Sequence, residues 1–219
     1  MGTDLKRNLQ TWGCPVCDHL ENALFSYFSR LQFTLTHDEN TRKAFADECG
    51  LCRFHTWQLA AFSSSRGLAK GFPSLLSRIA DELLRIADQG HEGEVNQTVL
   101  GERSVDCRAC VLLRQEEKTY MIRLIDFLDR EEGRSIYRTS QGLCLRHLGL
   151  LVKCVSSETA DFLLREAARR FKEIETNLKS YGQKLESRNR HDCTPEEKNA
   201  DRCALTHIVG AKYLSFPLE

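Results

Sequence analysis

Gly50-Leu51-Cys52-Arg53-Phe54-His55 is said a second time by the chain, as Gly142-Leu143-Cys144-Leu145-Arg146-His147, with Gly-Leu-Cys-x-x-His kept in register. Each copy follows a Cys-x-x-Cys, Cys14-Pro15-Val16-Cys17 in the first case and Cys107-Arg108-Ala109-Cys110 in the second. From the second cysteine of the pair to the cysteine of Gly-Leu-Cys is 35 residues in one copy and 34 in the other. Two sets of soft ligands at matching intervals constrain the fold more than composition does. The period, near 92 residues, is too long for a solenoid. The chain therefore reads as a duplicated unit with pseudo-two-fold symmetry.

Helical periodicity fills both copies. In the first, Leu20, Leu24, Tyr27 or Phe28, Leu31 and Leu35 predict a helix over 15–36, with Pro15 suited to its first turn. A second helix begins near Thr41 after a cap at 37–40, is interrupted or bent around Gly50, resumes through Leu51-Cys52 and ends near Phe62. A loop is expected at 63–67, then a third helix over 73–88 with Leu75, Leu76, Ile79, Leu83 and Ile86 on one face. Residues 91–104 are the linker candidate. The second copy predicts helices over 108–129 and 143–155, a connector at 131–141, and a long helix from Ser156 to about Glu186. Its Leu164, Ala167, Phe171, Ile174, Leu178, Tyr181 and Leu185 form a heptad seam. Thr194-Pro195-Glu196-Glu197 starts a last helix, to about Tyr213. No segment shows sustained period-two alternation. The expectation is an all-α helical bundle: a first repeat over 1–90, a second over 105–187, and a C-terminal helix within 188–219 packing on both as one compact domain.

Ten cysteines in a chain with these pairs favour metal over disulfides. Residues three apart on a helix face the same side, so Cys52 with His55, and Cys144 with His147, can offer sulfur and ring nitrogen to one ion. Closing Cys14, Cys17, Cys52 and His55 around an ion gives Cys₃His, as do Cys107, Cys110, Cys144 and His147. That is the ligand set of a closed tetrahedral zinc site, two per chain. The cysteine pair of one repeat could also join the Cys-x-x-His of the other. Closure within each repeat is preferred, because a duplicated unit must have been viable alone. A structural zinc supplies roughly 10–16 kcal/mol in isolated fingers against a net domain stability of about 5–15 kcal/mol, so an apo form is not expected to fold.

Cys49 is a further potential ligand with no counterpart in the second copy, where Gln141 stands. It could replace His55 and make a four-thiolate set for a [4Fe–4S] cluster, which three thiolates and a histidine could also hold. Cys₃His in both copies suits zinc better. Cys14-Pro15-Val16-Cys17 also resembles a dithiol motif, so the alternative function is iron–sulfur or thiol–disulfide redox chemistry through Cys14, Cys17, Cys49 and Cys52. That motif normally follows a strand, and none is expected here. His191, Cys193, Cys203 and His207 form a candidate third set. His19, His37 and His91 read as surface residues and Cys154 as core.

At Cys-Pro-x-Cys followed by Gly-Leu-Cys-x-x-His, duplicated, the chain resembles a family of helical bacterial and archaeal proteins without an assigned function. The likeness rests on Cys14-Pro15-Val16-Cys17, Gly50-Leu51-Cys52 with His55, Cys107 with Cys110, and Gly142-Leu143-Cys144 with His147. The end of the last helix, Ile208-Val209-Gly210, is similar too, and the likeness covers most of the chain. The second pair departs from it, with Arg108-Ala109 where proline would begin. The resemblance implies a helical fold and metal binding, and no activity.

The formal net charge is zero, so no field favours nucleic acid or an anionic membrane. Arg165, Arg169, Arg170, Lys172 and Lys179 alternate with acids and read as a solvated helix face. Residues 1–12 lack the apolar core of a signal peptide. The most apolar run, 143–155, is broken by Arg146, His147 and Lys153 and is too short for a bilayer. A cytoplasmic protein is expected, and with no open metal position apparent an enzyme is the less favoured reading. Its role would be that of an interaction or regulatory module, with the face from Leu164 to Leu185 open to a protein partner or a second copy.

Overall fold

A computed structural model describes residues 2–88, 107–187, 192–212 and 214. Among the described residues there are twelve α-helices and no strand. They are α1 (Gly2–Leu9), α2 (Pro15–His37), α3 (Glu39–Asp47), α4 (Arg53–Phe62), α5 (Ser65–Gly71), α6 (Pro73–Asp88), α7 (Arg108–Leu128), α8 (Glu131–Thr139), α9 (Leu145–Val152), α10 (Ser157–Glu186), α11 (Pro195–Lys198) and α12 (Ala200–Val209). The chain is all-α, as the periodicity requires.

Its compact units are not its sequence repeats. One unit comprises Met1–Glu21 with Glu116–Leu214, and the other is built on Asn22–Gln115. The boundaries fall inside α2 and inside α7, so each unit draws on both repeats. In the first unit α10 packs on α9, α11 and α12, α12 packs on α9, and α1 packs on α8. Leu5, Leu9, Leu20, Leu124, Leu128, Tyr137, Leu151 and Leu163 form its core. In the second, α6 packs on α3 and α5, around Leu24, Phe28, Leu35, Phe45, Leu59 and Leu113.

The long helices lie where periodicity places them, and short helices occupy three stretches read as polar or irregular. α1 buries Leu5 and Leu9, and its polar sequence gives no periodic signal. The Ser64 hydroxyl accepts from Gly67 N at 3.1 Å and starts α5 inside the expected loop. α8 takes up most of the expected connector. The last helix breaks at Asn199 into α11 and α12, after a capping box between Thr194 and Glu197.

Three face assignments change. On α6, Leu76 and Leu83 are exposed while Glu82 is buried between Arg78 and Arg85. On α10 the inward row runs through Thr159, Leu163, Ala167 and Arg170, whereas Leu164 is exposed. Arg170 therefore belongs to the interior, not to a solvated face. Cys154 is exposed, not core. Among the described residues no helix is long and apolar enough to cross a membrane. The expected linker, His91 and His191 lie outside the described residues.

Candidate metal centres

The ligand sets close across the repeats. Cys14, Cys17, Cys144 and His147 form one group and Cys52, His55, Cys107 and Cys110 the other, with the four ligand atoms of each within 4.8 Å of one another. The preference for closure within each repeat is therefore corrected. Each cysteine pair meets the Cys-x-x-His of the other copy, inside one compact unit. The first group joins residues 127 apart, Cys17 and Cys144, and the second joins residues 58 apart, Cys52 and Cys110. At about 0.6 kcal/mol per doubling of a closed loop, an ion held by the first group would restrain the unfolded chain by roughly 1 kcal/mol more than one held within a repeat.

Both loops are built alike. Gly50 and Gly142 have φ of 78° and 84°, a conformation open to glycine and strained for other residues. Leu51 and Leu143, next in line, are buried anchors. Cys52 and Cys144 then occupy the N-cap positions of α4 and α9 in extended conformation, and neither side chain makes a capping hydrogen bond. Serine or aspartate there would be bound to the helix N–H groups, whereas these sulfurs point to the ligand groups. His55 and His147 sit in the first turns of α4 and α9. Cys17 and Cys110 lie in the first turns of α2 and α7, where the helix dipole favours a thiolate.

In the first group His147 Nδ1 lies 3.1 Å from Cys144 Sγ, 3.4 Å from Cys14 Sγ and 3.5 Å from Cys17 Sγ. Cys17 and Cys144 sulfurs are 3.9 Å apart. In the second, His55 Nδ1 lies 3.1 Å from Cys52 Sγ and 3.3 Å from both Cys107 and Cys110 Sγ. The sulfur of Cys110 is 3.6 Å from that of Cys107 and 3.9 Å from that of Cys52.

The thiols titrate together. Hydrogen bonds with Cys14 and Cys17 hold Cys144 well below the ordinary thiol range, while the contact with Cys14 and then that with Cys144 push Cys17 far above it. In the second group the hydrogen bond between Cys52 and Cys107 lowers Cys107 to about 3 and raises Cys52, and burial raises Cys110 to about 11. Each group favours one thiolate and works against another, as several thiolates do without a cation among them.

The other ring nitrogen separates the two centres. His147 Nε2 donates to Glu117 Oε1 at 3.0 Å. Burial opposes charge on His147, but its contacts with Cys14, Cys144 and Glu117 raise it to about 11. Burial likewise opposes charge on Glu117, yet His147 and Arg146 keep its carboxyl below the usual range. His55 Nε2 is buried and has no hydrogen-bond partner, and its ring is bedded against Phe28 and Phe54. The repeat explains this. Glu117 stands ten residues beyond Cys107, and the residue ten beyond Cys14 is Leu24.

The remaining candidates fall away from the centres. Cys49 is in neither group. It has φ of 55° and closes α3, with its N–H bonded to Ala46 O and that of Gly50 to Phe45 O, the Schellman arrangement with cysteine where glycine usually stands. Cys14, Cys17, Cys49 and Cys52 are consequently not assembled as one set. Cys193, Cys203 and His207 belong to no such group among the described residues. Both ring nitrogens of His207 face backbone carbonyls, of Cys203 at 2.8 Å and Gln141 at 2.7 Å. His19 is partly buried beside Glu116 and Tyr120, not on the surface.

Glu117 and Arg170 were the supports that sequence reasoning passed over. The signal for Glu117 is an acid in an otherwise apolar helical row, opposite Leu24 of the other copy. Arg170 Nε donates to Ser140 O at 3.1 Å and Nη2 to Tyr137 O at 2.5 Å, bracing the turn that leads to Cys144. Comparison of the chain with protein-family models, with curated proteins and with solved structures finds no match.

Proposed function

We propose that the chain is a zinc-binding helical protein whose two Cys₃His centres are structural, and that it serves as an interaction or regulatory module. The observation carrying this reading is the spacing of the ligand atoms. Around one zinc ion, with Zn–S near 2.3 Å and Zn–N near 2.0 Å, a tetrahedron separates sulfurs by about 3.8 Å and sulfur from nitrogen by about 3.5 Å. Three sulfur–sulfur distances, of 3.6 to 3.9 Å, agree with the first edge, the sulfur–nitrogen distances of 3.1 to 3.5 Å come within a few tenths of an ångström of the second, and all ligand atoms of each set lie within 4.8 Å. A four-iron cluster places each ligand on a separate corner of a cube and needs them further apart, so the edges favour a single ion. All four protein ligands of each set are spent on that ion, which suits a structural clasp rather than a reacting metal. In this reading each ion fastens the start of a long helix to the start of a short one, α2 to α9 and α7 to α4.

Metal content of paired variants tests both the ion and the pairing. The purified protein should hold about two zinc per chain and show no visible absorption. Cys14→Ser with Cys144→Ser should remove one zinc, because both residues serve one centre, while Cys14→Ser with Cys52→Ser should remove both. Cys49→Ser should leave the content unchanged. Iron with sulfide and a broad band near 400 nm would defeat the zinc reading.

A further inference from the structure

The two centres share a ligand set and differ in what encloses it. All four ligands of the first are buried, and His147 is locked by a carboxylate. In the second, Cys52 and Cys107 are partly open to solvent and the far nitrogen of His55 has no partner. Ligand histidines are ordinarily oriented through their other nitrogen, and loss of that partner typically weakens metal binding ten- to a hundredfold. An attacking chelator also needs a route to a sulfur, and partly exposed thiols supply one. One feature points the other way. A cavity of about 700 Å³ has Cys14 and Cys17 in its wall, beside Trp12, Leu205 and Val209. Each of those cysteines is nevertheless only 2% exposed, and the turn at Gly210 lies close against Cys17 and Cys144.

Resting on the zinc reading, we propose that the centre formed by Cys52, His55, Cys107 and Cys110 exchanges its ion with the surroundings, while that formed by Cys14, Cys17, Cys144 and His147 holds its ion permanently. Zinc availability is then registered in the unit built on Asn22–Gln115, where loss of the ion frees α4 from α7. The first unit keeps its clasp. The ligand recognised is a soft divalent cation, taken from and returned to small-molecule chelators.

The test is the rate at which a chromogenic chelator strips the zinc-loaded full chain. Two phases of one equivalent each are expected, separated ten- to a hundredfold. Cys110→Ser should abolish the fast phase and Cys144→Ser the slow one. Glu117→Gln, which keeps the shape of the side chain, should quicken the slow phase without touching the fast one, and Leu24→Glu should slow the fast phase. A single phase for both ions, or a fast phase that disappears with Cys144→Ser, overturns the proposal. A chain that takes up no zinc at either centre defeats the zinc reading itself, and a distinct result marks each failure.

Discussion

The Gly-Leu-Cys-x-x-His loops agree in every motif residue and part company in what braces them. Under the loop of the first unit lies Arg170, whose guanidinium bonds two buried carbonyls and would sit 3.0 Å from any side-chain carbon placed at Gly142. Under the other loop lies Leu75, 3.0 Å from the same point at Gly50, with Phe45 at 3.3 Å. One turn is braced by an arginine reaching in from α10, and the other by its own helix-end bonds, by Thr56 donating to Leu51 O and by the apolar contact beneath it. The same contrast recurs at the histidines, Glu117 against Leu24. A duplicated ligand pattern thus fixes where an ion could sit, and the unduplicated neighbours decide how firmly that cradle is held.

The largest effect on the metal should follow from removing the polar brace. Arg170→Met leaves the carbonyl of Ser140 without its donor, at roughly 1–3 kcal/mol, while that of Tyr137 keeps the Ser140 N–H and hydroxyl. It should also misplace Cys144, so zinc content falls along with the denaturation midpoint. Leu75→Ala should cost about 2–4 kcal/mol through the cavity it leaves, with zinc retained, because an apolar contact loosens without orphaning a polar group. Equal zinc loss in both variants would erase the distinction. The smallest effect runs in the opposite direction. Cys49→Gly relieves a left-handed residue that costs about 1 kcal/mol and should raise the midpoint slightly, with two zinc still bound. A fall would give the Cys49 thiol a role of its own.

The ligand residues and long helices were legible because repetition and period 3.6 are properties of a string. α2, α6, α7 and α10 appear within a residue or two of where their apolar rows put them. The pairing was not legible. The intervals are nearly equal in the two copies, so either closure satisfies them, and only the course of α2 and α7 through both compact units selects the crossed one. α1, α5 and α8 escaped because helices of nine residues or fewer carry too few apolar positions to show a period. Arg170 and Glu82 escaped because charge argues for solvent unless the partner is known. The partners here are backbone carbonyls in one case and flanking arginines in the other.

Crossed closure also answers how half of this sequence could ever have stood by itself. A lone repeat carries two ligands for one ion and two for another, so it completes neither centre. Two copies of it complete both, each lending its cysteine pair to the other's Cys-x-x-His. The present chain has the logic of such a pair joined end to end. On that pairing it would be a dimer written as a monomer, each centre drawing two ligands from either half.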